Sequence, residues 1–235
     1  MKNIFIGDIH GKSIWKDIVN LNPDADNIVF IGDYFDSYDD ISTDDQIDNL
    51  KAILEFKKNF KGQVHLLIGN HDHHYLPSIG YTGTSGYQSF RANDIGELLN
   101  ANMDSFNMAV LVGNVLCSHA GISPIYAKNM GWNGTDSIVE FLNDLFKYQP
   151  RKFIFSGVDL YGDDIYQTPI WIRPTSLMLS NYQDTCISER YMQVVGHTQQ
   201  NTIGISSCRR FYFIDTLPFG EYLVEVDGEF KTEKV

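Results

Sequence analysis

Short apolar runs closed by a glycine and a polar residue mark the first third of the chain. Residues 3–6 predict a buried strand that stops at Gly7-Asp8, residues 27–31 a second that stops at Gly32-Asp33, and residues 63–68 a third that stops at Gly69-Asn70. Helical spacing lies between them. Ile14, Trp15, Ile18 and Val19 share one face behind Ser13, a candidate cap. Residues 43–60 carry Ile47, Leu50, Ile53, Leu54 and Phe56 among periodic apolar positions. Strand, helix, strand, helix, strand with short connections implies a parallel sheet with right-handed crossovers.

The pattern then changes. Residues 106–112 and 115–119 predict two strands joined by a tight turn at Gly113-Asn114, and residues 136–146 a helix. Short strands follow over 191–195, 202–205, 210–214 and 222–226, with a turn at Asp227-Gly228 into 229–231. Residues 75–87, rich in Gly, Ser, Thr and Tyr, predict a surface loop. The chain shows no repeat and no low-complexity linker. A parallel first half and an antiparallel second half predict a single α/β domain over residues 1–235, two sheets packed together with helices outside.

Composition narrows the function. The 235 residues include 30 acidic and 18 basic ones, a formal charge of −12, with 43% hydrophobic and 20% charged. These are globular values. The balance argues against duplex nucleic acid as a partner, since Lys and Arg must neutralise phosphates there. It leaves phosphate chemistry open, because bound metal ions reverse the sign of the field inside one pocket. Three cysteines without a CxxC pair predict reduced thiols. No signal-peptide core or apolar run of membrane-spanning length is present, so the expected setting is the cytoplasm, with no membrane partner.

The candidate chemistry sits where the strands end. Asp8 with His10, Asp33 with Asp36, and Asn70 with His71 follow the three glycines, and His119 and His197 end two later strands. In open α/β sheets ligands bind beyond the carboxyl ends of the strands. A single Gly-Asp pair is expected about once by chance in a chain this long, and Gly162-Asp163 is set aside on that ground. Five pieces in order, each after an apolar strand, are far more specific.

The series Gly7-Asp8-Ile9-His10-Gly11, Gly32-Asp33-Tyr34-Phe35-Asp36, Gly69-Asn70-His71-Asp72, Ser118-His119-Ala120-Gly121 and Gly196-His197-Thr198 resembles the calcineurin-like metallophosphoesterases, closest to the bacterial and phage serine/threonine phosphatase branch. The resemblance implies a sandwich of two mixed β-sheets flanked by α-helices, with two divalent metals at one sheet edge. It implies Asp8 and His10 on the first metal, Asp33 bridging both, and Asn70, His119 and His197 completing the second. Carboxylate, amide and imidazole donors suit Mn²⁺ first, with Fe or Zn²⁺ as alternatives. Two such ions against two carboxylates leave a centre of about +2, and a bridging hydroxide is the implied nucleophile. His71 is the implied general acid and Asp36 its partner. Asn70 also lies where substrate phosphate would bind. His65, His73 and His74 have no matching role: His65 reads as structural, the other two as solvent-exposed or outside the ligand shell.

Two features bear on substrate. The family arginine after the second Asp is replaced by Ser37-Tyr38, which removes a bidentate phosphate clamp. Arg173, in Trp171-Ile172-Arg173-Pro174, resembles a later family arginine and is the candidate phosphate ligand, with Arg91 a weaker one. The leading expectation is hydrolysis of phosphomonoesters, with a phosphorylated protein (phosphoserine or phosphothreonine) or a small phosphoester as substrate. The alternatives are a phosphodiesterase or a nucleotide or dinucleoside polyphosphate hydrolase, with nucleic-acid ends open as substrates. A non-catalytic metal- or phosphopeptide-binding protein is the alternative of another class.

Overall fold

A computed structural model describes residues 1–81, 85–156 and 163–235. Part of the 75–87 segment and Gly162 of the set-aside pair lie outside the described residues.

The three opening strands form as predicted: β1 (Lys2–Ile6), β2 (Asn27–Phe30) and β3 (Gln63–Leu67), with α1 (Trp15–Leu21) and α2 (Thr43–Asn59) as crossovers. Ser42, not foreseen, caps α2 by accepting from Asp45 N, and Lys57 and Lys58 sit in its last turn against the helix dipole. Ser13 does not cap α1 with its side chain; Ile14 occupies the cap position and Ser13 gives only its carbonyl, to Lys16 N.

The short α3 (Asn70–His73) follows β3, and α4 (Ala92–Ala101) precedes the next strands. Residues 106–112 split into β4 (Phe106–Asn107), which pairs with β3, and β5 (Ala109–Val112), which belongs to a second sheet. Asn143 makes the crossing tolerable. Its Oδ1 accepts from Met108 N at 2.8 Å and Ala109 N at 3.1 Å, while its Nδ2 donates to Ala109 O, so the buried backbone keeps its partners. Then come β6 (Val115–Ser118), α5 (Pro124–Asn129), α6 (Ile138–Tyr148), α7 (Pro174–Gln183), β7 (Met192–Val195), β8 (Gly204–Ile205), β9 (Phe211–Phe213), β10 (Glu221–Val226) and β11 (Glu229–Lys234).

The strand order is β11-β10-β1-β2-β3-β4 in one sheet and β5-β6-β7-β9-β8 in the other. This corrects the antiparallel expectation for the second half. β6, β7 and β9 run parallel: the passage through α5, α6 and α7 returns the chain from β6 to β7 in the same direction, and residues 196–210, with β8, return it from β7 to β9. The closing hairpin returns to the first sheet and covers the edge of β1. Its turn has Asp227 at φ 50° and Gly228 at φ 92°, as a tight Asp-Gly hairpin requires.

Residue alternation divides the core. Phe5, Val29, Ile31 and Leu67 pack with Val110, Cys117, Val194 and Tyr212 between the sheets. Ile4, Ile6, Ile28 and Phe30 share a cluster with Trp15, Ile18, Leu50 and Ile53 from the crossover helices. Burial on both faces is why these strands read as continuous apolar runs. Truncating the fully buried Phe5 to alanine is expected to cost about 3–5 kcal/mol. Among the described residues no helix is long and apolar enough to cross a membrane.

Candidate metal centre

Asp8, Asp33, Asn70, His119 and His197 all follow the carboxyl ends of parallel strands, so the two sheets deliver them to one rim. The loops after β1 and β2 are hydrogen-bonded together: His10 N donates to Asp33 O at 2.7 Å and Gly11 N to Tyr34 O at 3.0 Å. Backbone strain concentrates here. His10, Asp33, Asp36 and His197 hold φ values of 41°, 51°, 60° and 66°, a region costly for residues with a Cβ and frequent at functional sites. The glycines serve a second strand's carboxylate. A Cβ on Gly69 would fall 2.0 Å from Asp33 Oδ1, and one on Gly196 would fall 1.9 Å from Asp8 Oδ1.

Three histidines are locked from behind. His10 Nδ1 lies 2.7 Å from Phe35 O, His119 Nδ1 3.0 Å from Ile31 O, and His197 Nε2 3.1 Å from Trp171 O. A carbonyl only accepts, so each of these nitrogens carries the proton and the opposite nitrogen presents a lone pair. Those lone pairs meet other acceptors. Asn70 Oδ1 is 3.0 Å from His119 Nε2 and 2.9 Å from His197 Nδ1, and Asp33 Oδ2 is 3.3 Å from His119 Nε2 and 3.8 Å from His10 Nε2. Acceptors facing acceptors at 2.9–3.3 Å, as at His119 and His197, call for cations. Asp8, His10 and Asp33 could hold one ion, and Asp33, His119 and His197 another, with Asp33 common to both. The residues present therefore fit a pair of divalent metals.

The electrostatics agree. Burial pushes Asp8 well above the usual carboxylate range, reinforced by Asp215 and Asp33. Burial would also raise Asp33, but His119, His71 and His10 hold it well below. Burial lowers His10, and burial with His119 and Arg173 lowers His197, which favours the neutral rings that ligands must be.

Beside this cluster, His71 Nδ1 is 2.9 Å from Asp36 Oδ2. Burial opposes charging of His71, yet Asp33 and Asp36 raise it overall. Burial likewise opposes ionisation of Asp36, but His71 and His74 hold it below its ordinary value. Tyr75 and Gln88 donate to its other oxygen. His73 and His74 are not exposed. His73 Nε2 faces Pro150 O at 2.9 Å, and burial pushes its pKa down to about 4. His74 Nε2 lies 2.8 Å from Asp36 Oδ2 but out of hydrogen-bond alignment, and its ring packs against Tyr75 and Tyr87. His65 is half-buried, 3.4 Å from Asn27 Oδ1, as a structural residue would be.

An open cleft of about 670 Å³ reaches Asp8, His10, Asp33, Asn70, His71 and His197. Arg173 lines it, half-buried, and donates to His197 O at 3.2 Å and Thr198 Oγ1 at 3.0 Å. Arg91 does not line it; it pairs at the surface with Asp94 and Asp44. Three residues have places that the sequence pattern does not assign. Asp215 lines the cleft after β9, and burial with Asp33 pushes it up to about 6; its signal was a carboxylate after an apolar strand, as at Asp8. Lys12 also lines the cleft, paired with Asp39. Asp72, fully buried, accepts from Gly69 N, Asp33 N and Tyr34 N, contacts that spacing does not announce.

Comparison with known proteins places this rim in context. The fold is shared with the cold-active protein tyrosine phosphatase of a psychrophilic Shewanella, at a TM-score of 0.64 and 17% identity over 99% of this chain and 80% of that one. A serine/threonine phosphatase from Saccharomyces cerevisiae aligns at 0.56 and 12% identity over 100% and 80%. A putative diadenosine tetraphosphatase aligns at 0.54 and 13% over 99% and 93%. No curated protein sequence matches the chain. The sequence profile of the calcineurin-like phosphoesterases matches residues 1–185, and the fold brings His197, beyond that match, to the same rim. With motifs, architecture and profile in accord, the chain belongs to the calcineurin-like phosphoesterases, a family of phosphoric ester hydrolases.

Proposed function

We propose that the chain hydrolyses phosphomonoesters with two divalent metals, Mn²⁺ by preference. The observation that carries this reading is the ring of tautomer-locked histidines turned toward Asp33 and Asn70. Asp8, His10 and Asp33 would hold one ion; Asp33, Asn70, His119 and His197 would hold the other. When bound, such a pair activates water as nucleophile and offsets charge on the phosphoryl oxygens. Arg173, anchored at His197 and Thr198, presents a guanidinium to those oxygens, with Asn70 beside it. His71, oriented by Asp36, donates its proton to the departing oxygen.

Phosphoserine and phosphothreonine are the substrates that the family resemblance favours. The three unbridged cysteines fit a reducing compartment, the cytoplasm. p-Nitrophenyl phosphate and its bis ester, compared at matched Mn²⁺, test the reading. The monoester is expected to turn over faster. A diester rate well above it assigns the site to diesters and overturns the proposal.

A further inference from the structure

Tyr38 stands beside the proposed proton donor. It follows the β2 loop that carries Asp33 and Asp36, and it lines the cleft with 69% of its surface exposed. Leaving a large ring so open forgoes burial that would stabilise the fold. The ring is nonetheless held in place. It meets His10 edge-on at 5.5 Å between centroids and His71 at 6.1 Å, and its hydroxyl lies 3.2 Å from Ser85 Oγ. Phe155 and Trp171 add a second pair of rings to the cleft, the latter 5.7 Å from His197. Among the described residues lining the cleft, the permanent cations are Lys12, engaged with Asp39, and Arg173, anchored at His197.

From this arrangement we infer that Tyr38 is a specificity-determining residue that stacks on an aromatic leaving group, so that aryl phosphomonoesters are preferred over the alkyl esters, phosphoserine and phosphothreonine, to which the family resemblance alone points. The inference rests on the phosphomonoester reading above. In an in-line displacement the leaving oxygen departs toward the proton donor, His71, so whatever is attached to that oxygen meets the surface next to His71. That surface is an exposed aromatic face. A planar ring gains from offset stacking or edge contact there, whereas a small alkyl group covers little of it.

Binding of non-hydrolysable phosphonates to the manganese-loaded protein tests this by calorimetry. Benzylphosphonate places a ring where an aryl leaving group would sit; ethylphosphonate does not. The benzyl compound is expected to bind roughly 3- to 10-fold more tightly. That ratio should fall below about 2 in Tyr38→Ala and be kept in Tyr38→Phe. Equal affinities in the wild type, or an undiminished ratio in Tyr38→Ala, overturn the role of Tyr38. Failure of both phosphonates to bind the loaded protein instead overturns the phosphomonoester reading, and this inference with it.

Discussion

Asp33 and Asp72 are joined through the main chain: the amide of Asp33 donates to Asp72 Oδ2 at 2.8 Å. The Asp33 side chain, in turn, accepts from the amide of His71, next to Asp72, at 2.9 Å. The loop after β2 and the start of α3 thus hold each other. Asp72 accepts from three buried amides, and alanine there orphans all of them. Asp72→Ala is expected to lower stability by about 2–4 kcal/mol, read as a lower urea midpoint, with Asp72→Asn losing less. An unchanged midpoint would remove Asp72 from the scaffold of the site.

Asp33 belongs to two groups of potential ligands, with Asp8 and His10 in one and His119 and His197 in the other. Asp33→Asn is expected to weaken both ions together and to abolish turnover. Elemental analysis after dialysis checks it, and two tightly held metals in the variant would rule out a bridging role.

His71→Asn should leave metal content near that of the wild type. With alkyl leaving groups the rate is expected to fall by roughly 10²–10⁴-fold, and less with nitrophenolate, which needs no proton. Equal losses for the two leaving groups would end the assignment of His71 as proton donor.

Arg173 reaches the cleft from a fixed anchor at His197 and Thr198. Arg173→Ala should lower kcat/KM for phosphomonoesters by about 10- to 100-fold, mostly through KM, and lysine should restore only part. Steady-state kinetics with unaltered KM would contradict phosphate contact.

His73 gives the fold an acid sensitivity. Its folded pKa is pushed down to about 4 from 6.5 by burial, so between these values the unfolded chain binds a proton that the native ring refuses. Stability therefore rises with pH across this window, and up to about 3 kcal/mol is lost as pH falls from 6.5 to 4. Urea midpoints for His73→Gln should depend less on pH over that range than those of the wild type; identical slopes would assign the sensitivity elsewhere.

The sequence made the parallel strands and α2 legible because burial on both faces leaves runs such as residues 27–31, and because Gly-Asp and Gly-Asn stops recur in order. The motif histidines and carboxylates were legible for the same reason, and all of them reach one rim. What stayed hidden depends on distant contacts. The sheet crossing at Met108 relies on Asn143 from α6, and the return of β10 to β1 relies on an edge no local pattern records. α5 and α7 went unread although Pro124 and Pro174 open them; α5 is only six residues long and α7 has little one-sided patterning. His74 sits in a polar run that local spacing leaves either exposed or outside the ligand shell, and contacts with Tyr75, Tyr87 and the Asp36 carboxylate enclose it.

β1 lies between β2 and β10, with Ile4 opposite Ile28 on one side and Val224 on the other. During translation β1 leaves the ribosome long before β10, so the nascent chain carries its Gly7-Asp8 loop through most of synthesis without that neighbour. That loop therefore gains its second flanking strand last, from residues that lie beyond every proposed ligand. A polypeptide interrupted at residue 216 would possess every proposed ligand and still lack the second strand that pairs with β1.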